Sequence, residues 1–266
     1  MELYHGDCLE KFIIVKDESV DLILVDLPYG TTQNEWDSVI DCEEMWKNVK
    51  RVLKPCGNAL FFCKMPFTAA LMNSTNLVFH QELIWKKNVA SNFLNANKMH
   101  LEIHETILVF KKKKGQSTFN KQMNTGVPYS VKRKRDDSGN NYGNIKERID
   151  TKNEGTRNPQ TILEYNRPPN NIRSHPTQKP VDLLEYLIRT FSNSGDCVLD
   201  FTMGSGSTGV ACIKSKRYFI GIEKDFVYFS DAKKRLDVSE DRWKEIVIKR
   251  NKMKKLVDLI EKQNCD

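Results

Sequence analysis

Apolar positions along this chain fall into two rhythms. Val20-Asp21-Leu22-Ile23-Leu24-Val25 is a nearly unbroken apolar run, closed at once by Asp26-Leu27-Pro28-Tyr29-Gly30. A short run rich in branched residues and ended by Pro and Gly predicts a buried strand that stops in a tight loop. Leu3 to Cys8 reads as a short strand ending in a Gly-Asp turn. Asn58–Phe62, the stretch from Asp196 to Asp200, and Tyr218–Glu223 read as further strands. Helical spacing takes over from Cys42 to Leu53, from Met65 to Asn73, and from about Pro180 to Phe191, with Pro55-Cys56-Gly57 as the turn after the first of these. Glu82–Trp85 and Thr106–Phe110 predict a pair of strands. Strands alternating with helices predict an α/β domain, a mostly parallel sheet with helices on both faces. In such sheets ligands bind just beyond the carboxyl ends of strands, which is where the Asp26 loop falls.

Between the two blocks of elements the rhythm stops. From Lys111 to Arg135 there are nine Lys or Arg and no Asp or Glu, and Lys132-Arg133-Lys134-Arg135 is the densest group. Onward to about Arg173 the chain is rich in Asn, Gly, Pro and Arg without a clear period. Residues 111–173 are therefore expected to be a loop-rich, partly mobile insertion. A basic segment interrupting a folded core fits phosphate contacts that position a nucleic acid, although a solvated loop or a nuclear-import signal would carry the same charge. From Ser239 to Asp266 a charged helical pattern with Trp243, Ile246, Ile248, Leu256, Leu259 and Ile260 predicts an amphipathic tail that caps the core or supports a homodimer.

Composition narrows the class. A chain of 266 residues with 29% charged and 39% hydrophobic positions is expected to be one soluble domain, or one domain carrying an insertion. No apolar run approaches a membrane span, and Met1–His5 is no signal peptide. Seven cysteines, scattered and never spaced CxxC, read as reduced thiols of an intracellular protein, with neither a disulfide framework nor a zinc site. His100 and His104 stand four apart and would share a helix face, a metal-binding spacing. The sequence there is HLEIH rather than HExxH and runs straight into a strand, so a structural or substrate-facing histidine is expected and no metal site. The net charge of +7 suits a polyanionic partner only modestly.

Two stretches carry chemistry. The Asp26 loop presents a carboxylate, a stiffening proline and an aromatic ring, an acceptor beside a stacking surface that suits a planar base bearing an amino group. The second stretch, Asp200-Phe201-Thr202-Met203-Gly204-Ser205-Gly206-Ser207-Thr208-Gly209, is a strand end, a glycine-rich turn and a helix start. Small residues there let the backbone approach a cofactor closely. A phosphate loop of the Walker type needs lysine after the glycine, and Gly206 is followed by Ser207-Thr208. Gly204 to Gly209 satisfies GxGxxG, and Glu223 ends the next strand where ribose hydroxyls would lie, so a nucleoside site is indicated and NAD stays open on spacing. Asp7 either faces a nucleotide-like ligand or caps a helix. His175-Pro176-Thr177-Gln178-Lys179-Pro180 opens a helix whose amides suit an anion such as a carboxylate.

DLPYG, HPTQKP and DFTMGSGSTG, in that order, closely resemble the motifs of the β-type, permuted amino-group DNA methyltransferases, which use S-adenosyl-L-methionine. The resemblance covers residues 1 to about 235, and only the insertion lacks a match. It implies a Rossmann-like methyltransferase fold, a mostly parallel seven-stranded sheet in circularly permuted order. The implied parts are a catalytic half (1–110), a basic target-recognition insertion (111–173) touching DNA through Lys132, Arg133, Lys134 and Arg135, a cofactor half (174–238) and a helical tail (239–266). Asp26, Leu27, Pro28 and Tyr29 become the catalytic loop, with Leu27 where the family usually has proline. Only the main-chain carbonyl of that position is needed, so activity is expected to survive. Phe201, Gly204 and Gly206 match the cofactor motif, with Asp200, Ser205, Ser207 and Thr208 in the same turn and Asp26 facing it. Glu223 matches the ribose acid, Asp7 and Cys8 the turn at the adenine, and Lys179 with Thr177 the segment holding the methionine carboxylate. The late glycine unit and the lack of a hydride-accepting domain set NAD aside.

The implied reaction is direct methyl transfer to a base flipped out of double-stranded DNA. Pro55-Cys56, the dipeptide that carries the nucleophile in cytosine C5 methyltransferases, falls at the wrong end of its strand for a covalent route. Adenine N6 is the expected target because the loop begins with Asp. Cytosine N4 is the alternative, and a catalytically silent nucleic-acid-binding protein the further one. A restriction endonuclease partner would be a separate chain.

Overall fold

The computed structural model describes residues 1–28, 40–113, 117–132, 150–169 and 178–263, with 246–263 as backbone alone. Its elements are β1 (Glu2–His5), α1 (Cys8–Lys11), β2 (Val20–Asp26), α2 (Cys42–Val52), β3 (Leu53–Cys63), α3 (Phe67–Ser74), β4 (Val78–Ser91) and β5 (Glu102–Lys111). Four short strands follow, β6 (Asn124–Thr125), β7 (Tyr129–Val131), β8 (Thr151–Asn153) and β9 (Thr156–Arg157). The chain then forms β10 (Ile162–Glu164), α4 (Val181–Phe191), β11 (Cys197–Asp200), α5 (Ser207–Ser215), β12 (Tyr218–Glu223) and α6 (Phe226–Gln263).

Eight strands make the central sheet in the order β1-β12-β11-β2-β3-β5-β4-β10. Every neighbouring pair is parallel except those of β5, which runs against both β3 and β4. The expected count was seven. The eighth strand, β10, comes from the stretch read as insertion and adds to the β4 edge, Ile162 opposite Ile84.

The apolar run of β2 is continuous because both of its faces are covered. Ile23 and Val25 pack with Phe12, Trp46, Val49 and Phe61 on one face. Leu22 and Leu24 pack with Leu183, Leu187 and Leu236 on the other. Asp21, the polar break in that run, accepts both oxygens' worth of hydrogen bonds from Lys54 Nζ at 2.8 Å and one from the Cys197 amide at 2.9 Å, and so joins β2 to both neighbours. The predicted Pro55–Gly57 turn is a bulge inside β3: Val20 faces Leu53, and the next matched pair is Leu22 with Asn58. The α2 helix begins where Asp41 accepts from the Glu43 and Glu44 amides at 2.9 and 3.1 Å. Pro180 sits at the N-cap of α4 rather than inside its first turn.

His104 lies in β5 opposite Lys86, as its run into a strand predicts, and is exposed like His100. The extent of the insertion needs correction. The separate unit is narrower than the expected 111–173 insertion: the chain divides into one unit of 1–120 with 161–266 and a second of 121–160. In the second unit β6 pairs with β9 and β7 with β8, both antiparallel. Arg157 stacks on Tyr129 at 4.7 Å and donates to Asn153 Oδ1 at 2.6 Å. Ladders of two or three residues are too short to leave a period in the sequence. In the first unit, Asn120 closes the carboxyl end of α4, its amide donating to Thr190 O at 2.7 Å and its side chain to Ser192 O at 2.9 Å. Among the described residues no helix is long and apolar enough to cross a membrane.

Gly209 shows how tightly α5 is seated. A Cβ there would stand 2.6 Å from Leu236 Cδ2 and 2.8 Å from Phe219 Cε1. The Phe219 ring is itself buried and has little room to yield. Gly209→Ala is expected to destabilise the protein by about 1–3 kcal/mol, the usual cost of overpacking. Urea unfolding checks this, and an unchanged midpoint would contradict the packing described.

Candidate active site

From β2 the chain crosses through α2 to β3 on one side, and from β11 through α5 to β12 on the other. The direction of winding therefore reverses between the neighbours β11 and β2, and a crevice opens there beyond their carboxyl ends. Asp26 is the last residue of β2 and Asp200 the last of β11. Thr202 Oγ1 bridges the two loops, donating to the Asp26 carbonyl at 3.0 Å.

On the β11 side the glycine turn is fixed from several directions. Gly204 and Gly206 have φ of 47° and 73°, a left-handed path that favours glycine. The Gly204 amide donates to Glu223 Oε2 at 2.8 Å, and Glu223 Oε1 accepts from the Asp225 amide at 2.8 Å. Arg235 reaches in from α6 to the Ser205 carbonyl at 2.8 Å and the Ser207 hydroxyl at 3.1 Å. Asp200 accepts from the Thr202 amide at 3.1 Å and the Thr208 hydroxyl at 2.6 Å. Burial pushes the Asp200 carboxyl up to about 7, against the pull of those two donors. Glu223 is also raised by burial, partly offset by its amide donors. At the end of β1, Asp7 caps α1 through the Leu9 amide at 3.0 Å and pairs with Lys224 at 3.1 Å. The Cys8 thiol beside it is pushed up to about 12 by burial, with Asp7 adding to the effect.

On the β2 side the cross-strand register sets Phe62 opposite Asp26, and Glu105 opposite Trp85 farther along the sheet. Lys179, just before α4, donates to Asp26 Oδ2 and lies 3.3 Å from Glu105 Oε2. Its ammonium also stands 5.1 Å from the centre of the Phe62 ring. Lys87 donates to Glu105 Oε1 at 3.3 Å and to Ser91 Oγ at 3.4 Å. Both ends belong to one cleft of about 680 Å³, lined by Asp7, Glu223 and the glycine turn at one end and by Asp26, Trp85 and Lys179 at the other. The volume suits a small organic ligand rather than a peptide groove.

A family model described as DNA methylase, covering N6 and N4 enzymes, matches residues 20–234. The chain belongs to the N6/N4 DNA methylase family. It is similar to DNA adenine methyltransferase YhdJ of Escherichia coli (strain K12), 31% identical over 95% of this chain and 88% of YhdJ. Type II methyltransferase M.HinfI of Haemophilus influenzae is 30% identical over 88% of this chain and 67% of its own. The crystal structure of the M1.HpyAVI–SAM complex superposes with a TM-score of 0.60 at 27% identity, covering 88% of this chain and 98% of that one. The cytosine-N4-specific PvuII DNA methyltransferase, 17% identical with a TM-score of 0.62 over 91% of each chain, shares the fold.

In this DNA methylase the sequence-predicted residues Asp7, Cys8, Asp26, Leu27, Pro28, Lys179, Asp200, Phe201, Gly204, Ser205, Ser207, Thr208 and Glu223 all line the cleft. Gly206 is the N-cap of α5 behind it. Tyr29, Thr177, Arg133, Lys134 and Arg135 lie outside the described residues. Lys132 is exposed just after β7, in the 121–160 unit. Cys56 is exposed in the β3 bulge and takes no part in the cleft. Sequence reasoning missed Trp85, Lys87, Glu105 and Arg235. The available signal was faint: Leu83, Trp85 and Lys87 alternate on one strand face, and Glu105 directly precedes the buried run Ile107–Phe110.

Asp200 generates a pH test. A carboxyl raised from 3.8 to about 7 by folding binds its proton more tightly in the folded state. Its contribution to stability is complete below about pH 4, and is lost as pH rises to about 7, on the order of a few kcal/mol. Asp200→Asn keeps an acceptor for the Thr202 amide and sets a donor against the Thr208 hydroxyl. The variant is expected to melt above wild type at pH 8, with the gap closing toward pH 4. Melting without added ligand checks this, and parallel pH profiles for the two proteins would refute it.

Proposed function

We propose that this DNA methylase transfers the methyl group of S-adenosyl-L-methionine to the exocyclic N6 amine of adenine in double-stranded DNA, acting on a base swung out of the helix. The observation that carries the proposal is the placement of Asp26 and Leu27 in the lining of the cleft, tied through Thr202 to the glycine turn. The donor set suits the cofactor. Asp7 and Glu223 stand at neighbouring strand ends where sugar hydroxyls need acceptors, Met203, Gly204 and Ser205 of the glycine turn line the cleft where a nucleoside would lie, and Lys179 offers an ammonium to a carboxylate. When bound, the cofactor supplies an already activated sulfonium methyl, so the protein's task is orientation more than acid–base work.

An exocyclic amine is a poor nucleophile because its lone pair is delocalised into the ring. Acceptors at the Asp26 carboxylate and the Leu27 carbonyl draw its two N–H bonds away from the ring plane and free that lone pair. Lys179 and Thr202 hold Asp26 by its carboxylate and its carbonyl, so the acceptor does not have to be organised during the reaction. Phe62 and Trp85, edge to face at 6.4 Å, make a rigid apolar wall beside it, and Tyr29 is assigned the stacking face. With the Cys8 thiol held near 12, no thiolate competes for the methyl. The 121–160 unit, with Lys132 and the basic run after it, is assigned the phosphate contacts of target recognition. The Type II relative in Haemophilus supports a separate endonuclease chain as partner, and α6 beyond Ser239 is the segment assigned to self-association. Cytosine N4 is the second reading, because the matched family covers both bases and the same two acceptors would serve.

The test is transfer of labelled methyl from S-adenosyl-L-methionine to unmethylated DNA, followed by digestion and separation of the nucleosides. N6-methyladenine is expected, and N4-methylcytosine would change the base while keeping the mechanism. Asp26→Ala is expected to lower transfer by about 10³-fold or more with cofactor affinity within about threefold of wild type. A fully active Asp26→Ala enzyme would remove Asp26 from the mechanism.

A further inference from the structure

The cleft holds more buried charge than the proposed reaction uses. Lys87, Lys179 and Glu105 have side chains only 4%, 10% and 18% exposed, yet none of the three is an acceptor for the amine. With Asp26 they form a row of alternating sign: Lys87, Glu105, Lys179, Asp26. Glu105 Oε1 accepts from Lys87, while Oε2 is buried and faces Lys179 at 3.3 Å as an ion pair outside hydrogen-bond alignment. Two ammonium groups and two carboxylates cancel, and that balance makes four charges tolerable in a place with little water.

We propose that Glu105 is a positioning residue for methyl transfer, which divides itself between two buried lysines and thereby sets how much of the Lys179 charge falls on Asp26. This rests on the assignment of Asp26 above. Asp26 works as an acceptor only while its negative charge is available to the N–H of the amine. An ammonium held by Asp26 alone would neutralise it; an ammonium shared with Glu105 fixes the carboxylate's direction and leaves more of its charge. Glu105 is suited to this by its place in the fold. It stands on β5, opposite Trp85 and just ahead of the buried Ile107–Phe110, so its backbone cannot drift. Burial alone would raise its pKa, but the charges of Lys179 and Lys87 prevail and hold it below the usual carboxylate range. Burial likewise works against the Lys179 ammonium, and Asp26 and Glu105 outweigh it. Both partners are thus charged at neutral pH.

The same arrangement leaves Lys179 poised between a protein carboxylate and the anionic end of the cofactor. Loss of the Glu105 charge frees Lys179 for both, so it should damage the chemical step and spare or tighten cofactor binding. A residue that merely neutralised Lys87 in the core would weaken folding and all functions together. The experiment measures thermal melting, cofactor affinity by calorimetry, and the single-turnover rate of methyl transfer for Glu105→Gln and Glu105→Asp. For Glu105→Gln the rate is expected to fall at least about tenfold, with the cofactor Kd no more than about threefold weaker. Glu105→Asp, which keeps the charge, should recover a substantial part of that loss. A Glu105→Gln rate within about twofold of wild type, or a Kd that weakens in proportion to the rate, overturns the inference. Should Glu105→Gln fail to fold, Lys87→Gln tests the same division from the far side, since Glu105 then turns wholly to Lys179. A rise in rate of about threefold or more, with the cofactor Kd unchanged or weaker, supports the inference, and an unchanged or lower rate overturns it. Asp26→Ala separates the two levels: full activity there removes the assignment of Asp26, whereas an inactive Asp26→Ala beside a fully active Glu105→Gln removes only the role of Glu105.

Discussion

Two parallel strands lie side by side at the middle of the sheet although their sequences are far apart, and the site exists because of that contact. Val198 faces Leu22 and Leu199 faces Ile23, and the Asp21 carboxylate accepts the amide that starts β11. Because the helices after β2 and β11 lead away in opposite directions, a crevice opens between the strands beyond their carboxyl ends. An acceptor at one strand end and a glycine turn at the other are then a single hydrogen bond apart, from Thr202 to Asp26. The sheet requires only that these strands be neighbours. Which of them the chain visits first is immaterial to the packing, which is how the Asp26 loop can precede the glycine turn by most of the sequence without loss of geometry.

Around that crevice polar groups are buried, and nearly all are held by named partners. Asp200 accepts from Thr202 and Thr208, Glu223 from two amides, and Arg235 secures Ser205 and Ser207 from a helix that arrives last in the chain. Satisfied polar groups in a low-dielectric place are stiff, because moving any of them exposes an unpaired donor or acceptor. The stiffness comes at the expense of stability, visible in the raised Asp200 and Glu223 carboxyls. Two apolar layers, one on each face of β2, bear that cost. Stability is thus generated between the sheet and its helices and drawn on at the carboxyl ends of the central strands, where the polar cleft lies.

The parts of this arrangement that were legible in the sequence are those whose signal is local. β2 announces itself because both faces are buried, which removes the polar half of the usual alternation. The glycine turn announces itself because Gly204 and Gly206 take backbone angles that other residues avoid. Glu105 and Lys87 do not, because a buried charge looks like any surface charge until its partner is known, and the partner arrives on a different strand or before a different helix. The strand β10 and the ladders of the 121–160 unit were hidden for another reason: three residues hold too few positions to show a period. The predicted turn at Pro55–Gly57 was correctly placed as an interruption but wrongly placed as a boundary, since the bulge it makes is absorbed by Lys54 gripping Asp21.

Leu27 stands where the resembled family usually has proline, and its surroundings explain why the loop tolerates it. Its side chain is 3% exposed and belongs to the apolar layer with Phe61 and Phe201. The proposed mechanism uses only the backbone carbonyl at this position, so the side chain is free to serve the core, and a buried leucine contributes on the order of 1.5–3 kcal/mol there. Proline would instead have fixed the local φ. That restraint is not lost, because Pro28 follows, and a residue before proline is sterically excluded from the helical region and kept extended. Asp26 is already pinned by Lys179 and Thr202 on the preceding side. The carbonyl of Leu27 is therefore confined between a tethered residue and a rigid one, a restraint that a second proline would otherwise supply.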